Sequence, residues 1–430
     1  MPQFLKGGFI MSNKKDKDDV IQQQSVNEIK PKQKVKIKIN DKELEVEKGI
    51  TILEAARQHN IHIPSLCYHE DLCVAGICRV CVVEVNGERN LKTACTYVVD
   101  GALDIKTSSE KVRKARRVVL ELMLANHYGA CYSCFRNLNC ELQKLAKEYG
   151  VDTLRFGHAQ ESRYKIDKSS YAVIRDKDKC ILCKRCIRTC VDLQQVGILE
   201  AANRGMNTEV QTFFDKPLSE VVCVNCGQCI NRCPTAALRA NDPTEEVWEA
   251  IDDPNKIVII QTAPSPRAAI GEEFGLPAGT SVTKKLNTAL RMLGFDKIFD
   301  TNFTADLTIL EEGTEFLNRV KEVIVNKNEK VKLPMFTSCC PAWIKYAEHF
   351  YPEILPNLST CKSPQQMFGP ILKTYYADKI KFDPAKIVTV AVMPCSAKKF
   401  ECNRPEMKAS GYKDVDYGLT SRELAQMIRE

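Results

Sequence analysis

From residue 34 onward, apolar and polar positions alternate: Val35, Ile37 and Ile39 share one face, Asn40-Asp41 forms a turn pair, and Leu44 and Val46 return in phase. A period of two on either side of a turn predicts a β-hairpin. Thr51 followed by Glu54 has capping-box spacing, and Leu53, Ala56 and Arg57 carry a helix to about Asn60. Residues 108–125, rich in Val, Leu, Met and Ala, predict a second helix. After Trp248 the pattern changes. A continuous apolar run at 257–260 has buried-strand character. It is followed by a helix at 281–293, an extended stretch at 297–301, a helix at 305–323, and further strands at 333–336 and 387–392. Residues 421–426 begin an amphipathic helix. Strands alternating with helices predict a mostly parallel sheet, and such sheets bind ligands at the carboxyl ends of their strands. The fold class is therefore multidomain, α+β in the first part and α/β in the last.

Composition narrows this picture. A chain of 430 residues has room for about two to four domains and a sizeable core. Most of its 21 cysteines fall into metal-ligand spacings, which calls for a compartment where thiols stay reduced. That predicts a cytoplasmic location and excludes a disulfide scaffold. The formal net charge of +7 counts metal-bound thiolates as neutral. With about two negative charges on each all-cysteine cluster and about one on a histidine-ligated one, the balance falls near zero, so no nucleic-acid partner is expected. No stretch approaches the length of a membrane span, and no membrane insertion is expected. The first residues carry too short an apolar run for a secretory signal, and residues 1–33 are expected to form a disordered tail.

The cysteine spacings carry the chemistry. Cys180-x2-Cys183-x2-Cys186-x3-Cys190 is followed by Cys223-x2-Cys226-x2-Cys229-x3-Cys233-Pro234. A 4Fe-4S cubane takes three thiolates from one x2 run, and in two-cluster ferredoxins the fourth cysteine of each run ligates the other cluster. This assigns Cys180, Cys183, Cys186 and Cys233 to one 4Fe-4S cluster and Cys190, Cys223, Cys226 and Cys229 to a second. A pair of zinc sites would instead use separated Cys pairs. Upstream, Cys67-x10-Cys78-x2-Cys81-x13-Cys95 suits a 2Fe-2S cluster, with Gly76 where the backbone wraps closely, and Cys73 off the pattern as a spare thiol. This hairpin-helix-cysteine order resembles a plant-type ferredoxin module, in the spacing found at the start of complex I and hydrogenase chains. Between the two regions lies His127-x3-Cys131-x2-Cys134-x5-Cys140, a donor set for a third, His-ligated 4Fe-4S cluster or for zinc.

In the last part, strand 257–260 runs into Ala263-Pro264-Ser265, strand 333–336 into Thr337-Ser338-Cys339-Cys340-Pro341-Ala342-Trp343, and strand 387–392 into Met393-Pro394-Cys395-Ser396-Ala397-Lys398-Lys399. Cys340 and Cys395 can therefore face one pocket though far apart in sequence. These two stretches, behind the 2Fe-2S, one-His-three-Cys and two-cluster ferredoxin motifs, resemble the first two signatures of the iron-only (FeFe) hydrogenases over about residues 34–430. The resemblance implies a β-grasp 2Fe-2S ferredoxin module at 34–107, a small His-ligated 4Fe-4S module at 108–170 and a two-cluster ferredoxin module at 171–242. An α/β hydrogenase catalytic domain at 243–430 would complete the order. It implies reversible proton reduction and hydrogen oxidation at a 4Fe-4S cubane bridged to a two-iron subcluster.

By the same resemblance, Cys340 and Cys395 are cubane ligands and Cys339 is the proton-passing thiol. Lys398, Ala263, Pro264 and Ser265 contact the cyanides, Gln365 and Met393 line the pocket, and Glu312, Glu315 and Ser359 form the proton path. Read from the residues alone, Glu312 and Glu315 are a solvated helix face and Lys398 is surface charge. Cys361 and Cys402 are expected to be inert. Implied partners are ferredoxin or NADH-dehydrogenase-type flavoprotein subunits, together with hydrogenase maturation proteins. The family's third signature, which supplies the other cubane ligands, does not occur in these 430 residues. The sequence is therefore expected to be C-terminally truncated and not to complete the active-site cluster alone. Two other functions compete with the hydrogenase reading. One is an electron-transfer subunit of a complex I or formate dehydrogenase type, which would lack the Cys339 and Cys395 stretches. The other is a non-catalytic hydrogenase-like sensor or assembly factor.

Overall fold

The structure is a computed structural model that describes residues 33–151, 155–157 and 163–430. The expected tail at 1–33 lies outside the described residues except for Gln33, as does part of the polar connection expected at 150–170. The chain forms two compact units, one of residues up to Ile63 with Cys81–Arg113, the other of Pro64–Val80 with Lys114–Glu430. Among the described residues no helix is long and apolar enough to cross a membrane.

The first unit is built on the predicted hairpin. Strands β1 (Lys34–Ile39) and β2 (Lys42–Glu47) pair antiparallel through Asn40 and Asp41, both at positive φ, which gives the hairpin its right-handed twist. Helix α1 (Ile52–Gln58) starts at the Thr51–Glu54 capping box and buries Ile52, Leu53, Ala55 and Ala56. The short strands β3 (Val82–Val85), β4 (Lys92–Thr93) and β5 (Asp104–Lys106) complete a sheet of order β2-β1-β5-β3-β4, with β1 and β5 parallel.

Helix α2 (Glu110–Asn126) belongs to the second unit from Lys114 on, and α3 (Glu141–Glu148) follows the His127 motif. The ferredoxin-like part is small. Strand β6 (Val173–Arg175) pairs with β9 (Leu238–Ala240), β7 (Glu200–Ala202) with β8 (Glu209–Gln211), and two short helices, α4 (Arg185–Arg188) and α5 (Gln228–Arg232), carry the cysteine turns. Helix α6 (Thr244–Asp252) then leads to strand β10 (Ile257–Thr262).

Strand β10 is central in an all-parallel sheet of order β11-β10-β12-β13, with β11 at Lys297–Asp300, β12 at Ile387–Met393 and β13 at Tyr417–Thr420. Both of its faces are covered. Val258, Ile260, Val390 and Val392 join one core, while Ile259 and Ile387 join another and Ala391 and Met393 a third. This is why the sequence reads as continuous apolar runs rather than as alternation. Between β10 and β11 lie α7 (Pro266–Ala269) and α8 (Thr283–Met292). Helix α9 (Thr301–Val320) begins four residues earlier than its apolar pattern suggests, because Asp300 caps it by accepting from the Asn302 N–H. The strand expected at 333–336 does not join the sheet. Only Phe336 makes a bridge, to Leu358, and Pro334 has no N–H to offer a ladder. The segment instead delivers Cys340 to the N-cap of α10 (Pro341–Phe350).

Helices α11 (Pro364–Ile371), α12 (Ala397–Cys402) and α13 (Ser421–Arg429) complete the domain. A buried ion pair ties two of them. Lys399 Nζ on α12 donates to both carboxylate oxygens of Glu423 on α13, at 2.5 and 2.6 Å, and also to the Asn241 carbonyl at the ferredoxin-like boundary. Removing one partner would leave the other charge buried and unpaired. Glu423→Ala is therefore expected to destabilise the protein by about 3–5 kcal/mol, read as a lowered urea midpoint, with Glu423→Gln costing visibly less. A second contact is steric. Gly227, at φ +69°, faces Ser396 so closely that a Cβ would lie 2.0 Å from its Oγ and 3.2 Å from its Cβ. Gly227→Ala is expected to cost about 1–3 kcal/mol in the same measurement. Ser396→Gly added to it should restore the steric share but not the share due to positive φ.

Candidate functional site

The two x2 cysteine runs fold as tight turns whose backbone amides point at sulfur. Leu182 N–H lies 3.4 Å from Cys180 Sγ, and Cys183, Cys223 and Cys226 accept from the N–H groups of Arg185, Asn225 and Gln228. Positive φ at Leu182, Lys184, Asn225 and Gly227 makes these turns possible. The runs exchange their fourth members. Cys180, Cys183, Cys186 and Cys233 line one cavity beneath β6 and β9. Cys190, Cys223, Cys226 and Cys229 lie within electrostatic reach of one another on the other side of α4 and α5. Burial pushes the thiols up, to about 11 at Cys180, about 12 at Cys183 and about 11 at Cys223, and well above the ordinary thiol value at Cys186 and Cys229. Four buried sulfurs around a cavity, each with an amide donor or a thiol neighbour, are a donor set suited to a cluster that replaces the protons with positive iron.

The remaining motifs divide between the units. Cys81 and Cys95 belong to the first, with their sulfurs 3.4 Å apart. Cys67 and Cys78 belong to the second, where Cys67 Sγ accepts from Cys78 N–H at 3.5 Å. Within the second unit, arginines beside the ferredoxin cysteines hold the loop that carries Cys67. Arg188 donates to the carbonyls of Cys67 and Cys73, Arg185 to the Tyr68 carbonyl and the Glu141 carboxylate, and Arg232 to Asp71. Cys73, the spare thiol, is exposed and contacts Asp192. His127 is buried, and Cys134 and Cys140 interact electrostatically. The motif is stitched to the ferredoxin turns by Tyr128 N–H to the Asp178 carbonyl, by Lys179 Nζ to the Tyr128 carbonyl and by Glu141 N–H to the Pro234 carbonyl. Sequence reasoning did not find these clamps, because nothing in an arginine's spacing names a distant carbonyl.

At the sheet, Cys340 and Cys395 interact electrostatically, and Cys395 in turn reaches Cys226. Cys339 and Cys340 are exposed. Lys398 is not surface charge. Its Nζ donates to the Cys339 carbonyl at 2.7 Å and to Glu401 Oε2 at 2.9 Å, which leaves one of its three ammonium protons uncommitted. Gln365 and Met393 are buried, Ala263 is buried just past the end of β10, and Pro264 and Ser265 are exposed beyond it. The Gln365 amide donates to the Lys398 carbonyl, Glu401 and Cys402 Sγ, while its Oε1 is buried with no partner among the described residues. A buried amide oxygen without a partner is a position that a bound group can satisfy. Cys402, pushed up to about 12 by burial, accepts from both Gln365 and Gln366.

Ser359 and Glu315 come together, with Ser359 Oγ donating to Glu315 Oε2 at 3.1 Å. Glu315 is more than a solvated face. Burial would raise its pKa, but the Arg319 guanidinium, the Thr360 N–H and the hydroxyls of Ser359 and Thr360 outweigh burial and hold it below the usual carboxylate range. Glu312 is half-buried one turn away. Cys361, expected to be inert, places its thiol 3.8 Å from Glu315 Oε2, and its carbonyl accepts from Ser338, the neighbour of Cys339.

Comparison with known proteins agrees with this geometry. Residues 256–430 match the iron only hydrogenase large subunit, C-terminal domain, and residues 32–110 match a 2Fe-2S iron-sulfur cluster binding domain. Residues 116–155 match the NADH-ubiquinone oxidoreductase-G iron-sulfur binding region, and 171–239 the NADH-quinone oxidoreductase subunit 3, ferredoxin-like domain. The NADP-reducing hydrogenase subunit HndD of Solidesulfovibrio fructosivorans is 49% identical, over 91% of this chain and 68% of its own length. Iron hydrogenase 1 of Clostridium pasteurianum is 40% identical, over 91% of this chain and 67% of its own. A solved FeFe-hydrogenase structure is 40% identical over 44% of this chain and 48% of that one, with a TM-score of 0.42. The chain thus spans about two thirds of the length of the two relatives and about half of the solved chain. With iron–sulfur regions over its first part and the large-subunit domain over its last, the protein belongs to the iron-only hydrogenase family of iron–sulfur oxidoreductases.

Proposed function

We propose that this chain catalyses reversible proton reduction and hydrogen oxidation, with electrons relayed between the catalytic pocket and an external carrier. The observation that carries this reading is continuity. Cys226 is in electrostatic reach of Cys190 on one side and Cys395 on the other, at the point where Gly227 touches Ser396. The competing electron-transfer-subunit reading lacks a use for the Cys339 and Cys395 stretches.

Cys67, Cys78, Cys81 and Cys95 would hold a 2Fe-2S cluster, and His127 with Cys131, Cys134 and Cys140 a 4Fe-4S cluster. The two exchanged cysteine sets would hold two more, in modules at 34–107, 108–170 and 171–242. Cys340 and Cys395 are this chain's own share of the active-site cubane in the domain at 243–430, since Cys361 and Cys402 make other contacts. When bound, the clusters supply one-electron steps and the two-iron unit supplies the making and breaking of hydrogen.

The chain's residues handle the proton. Lys398 fixes the backbone of Cys339 through its carbonyl, so the thiol is held at one place. Glu315, held as an anion, accepts from Ser359, so that hydroxyl can hand a proton to the carboxylate and take one from the pocket side by reorienting. Ala263, Pro264 and Ser265 close the β10 end of the pocket, with Gln365 and Met393 as its apolar-backed wall. The relatives named as an NADP-reducing hydrogenase subunit and as NADH oxidoreductase regions support a flavoprotein partner of NADH-dehydrogenase type. Ferredoxin is the other carrier, and maturation proteins are needed to load the two-iron unit. The thiol chemistry suits a reducing cytoplasm.

The protein, co-produced with maturation proteins, is expected to evolve hydrogen from reduced viologen. Cys339→Ala should abolish this with iron and sulfide content unchanged, and Glu315→Gln and Ser359→Ala should each lower the rate by about 10²-fold or more. A fully loaded protein that neither makes nor consumes hydrogen would refute the reading.

A further inference from the structure

Lys345 sits on α10, a little over one turn beyond Cys340, half-buried and pointing toward the ferredoxin-like part. Its ammonium lies 4.4 Å from the centre of the Phe400 ring on α12. The acid nearest on its own helix, Glu348, is already engaged: Arg404 donates to both of its oxygens, at 2.5 and 3.3 Å. Arg404 also pairs with Glu406. Among the described residues no carboxylate lies within ion-pair distance of Lys345. A partly desolvated cation seated on an aromatic face is stabilised by the ring, yet it still calls for an anion. The cysteine it reaches electrostatically is Cys223, one of the four thiols of the set nearer the sheet, with Glu348 as the weaker contributor on its own helix.

We infer that Lys345 is a counter-cation of the cluster site formed by Cys190, Cys223, Cys226 and Cys229, a positioning residue whose ammonium, seated on Phe400, raises that site's reduction potential. The inference rests on reading those four thiols as 4Fe-4S ligands. A fixed positive charge stabilises the reduced, more negative form of a cluster over the oxidised form. Phe400 seats the ammonium there, and Glu348 is engaged by Arg404.

The test is an EPR-monitored redox titration of the loaded full-length protein and its K345Q, K345M and K345R variants. The Cys223→Ser variant identifies which signal belongs to this site. K345Q is expected to move the midpoint of that signal to more negative potential while the other cluster signals stay in place, and K345R to retain the wild-type midpoint. If K345Q loses iron, K345M, which keeps the side-chain length without the charge, supplies the same reading. An unmoved midpoint in a neutral variant with intact iron content, or an equal shift in every signal, would overturn the inference. If Cys223→Ser leaves all 4Fe-4S signals and the iron content unchanged, the ligand reading itself falls, and this inference with it.

Discussion

Cys190 and Cys233 each leave their own run of cysteines and join the other's, and the second unit is organised by that exchange. Three thiols can be presented by one tight turn, but a fourth corner must come from elsewhere in the chain. Taking it from the partner run makes α4 and α5 inseparable: neither set of four thiols exists unless both turns are folded. This fixes where everything else attaches. The cysteine-bearing loop at 64–80 is held by Arg185, Arg188 and Arg232, which are neighbours of the exchanged thiols. The His127 motif is held through Lys179 and Pro234. The sheet domain meets the same hub at Gly227 and Ser396.

Electrostatics follow from the same arrangement. Buried thiols resist ionisation, as the upward shifts at Cys180, Cys183 and Cys223 show, so iron must supply the positive charge that protons supply without it. Bound thiolates leave the clusters net negative, and the chain answers with cations placed inside. Arg185, Arg188 and Lys179 are all nearly fully buried around the hub, and Lys345 lies at its border with the sheet. The excess of basic residues in the composition is thus partly internal, not a surface for a polyanion. Lys398 belongs to the same pattern at the next step, holding the Cys339 backbone while keeping one proton free.

Much of this was legible in the sequence. The x2 and x3 spacings are covalent constraints on turn geometry, so the groups of thiols that the fold brings together could be read directly, down to the exchange of fourth cysteines. The hairpin, the helix behind the Thr51–Glu54 capping box and strands β10 and β12 followed from period, cap and apolar run. The strand at 333–336 was misread because its composition is apolar, whereas strand membership depends on a ladder that Pro334 cannot enter. Helix α9 was started late because a cap at Asp300 leaves no apolar signal. The contact of Cys361 with Glu315 and the seat of Lys345 on Phe400 were not legible, because each joins residues on different elements that no spacing links.

The exchange of cysteines is tested most directly by Mössbauer spectroscopy on the iron-loaded protein carrying Cys233→Ser. Cys233 lies in the second run, yet the spectrum is predicted to change for the cluster of Cys180, Cys183 and Cys186 while that of Cys223, Cys226 and Cys229 stays as in the wild type. A perturbation confined to the cluster of the second run would contradict the exchange and the hub built on it.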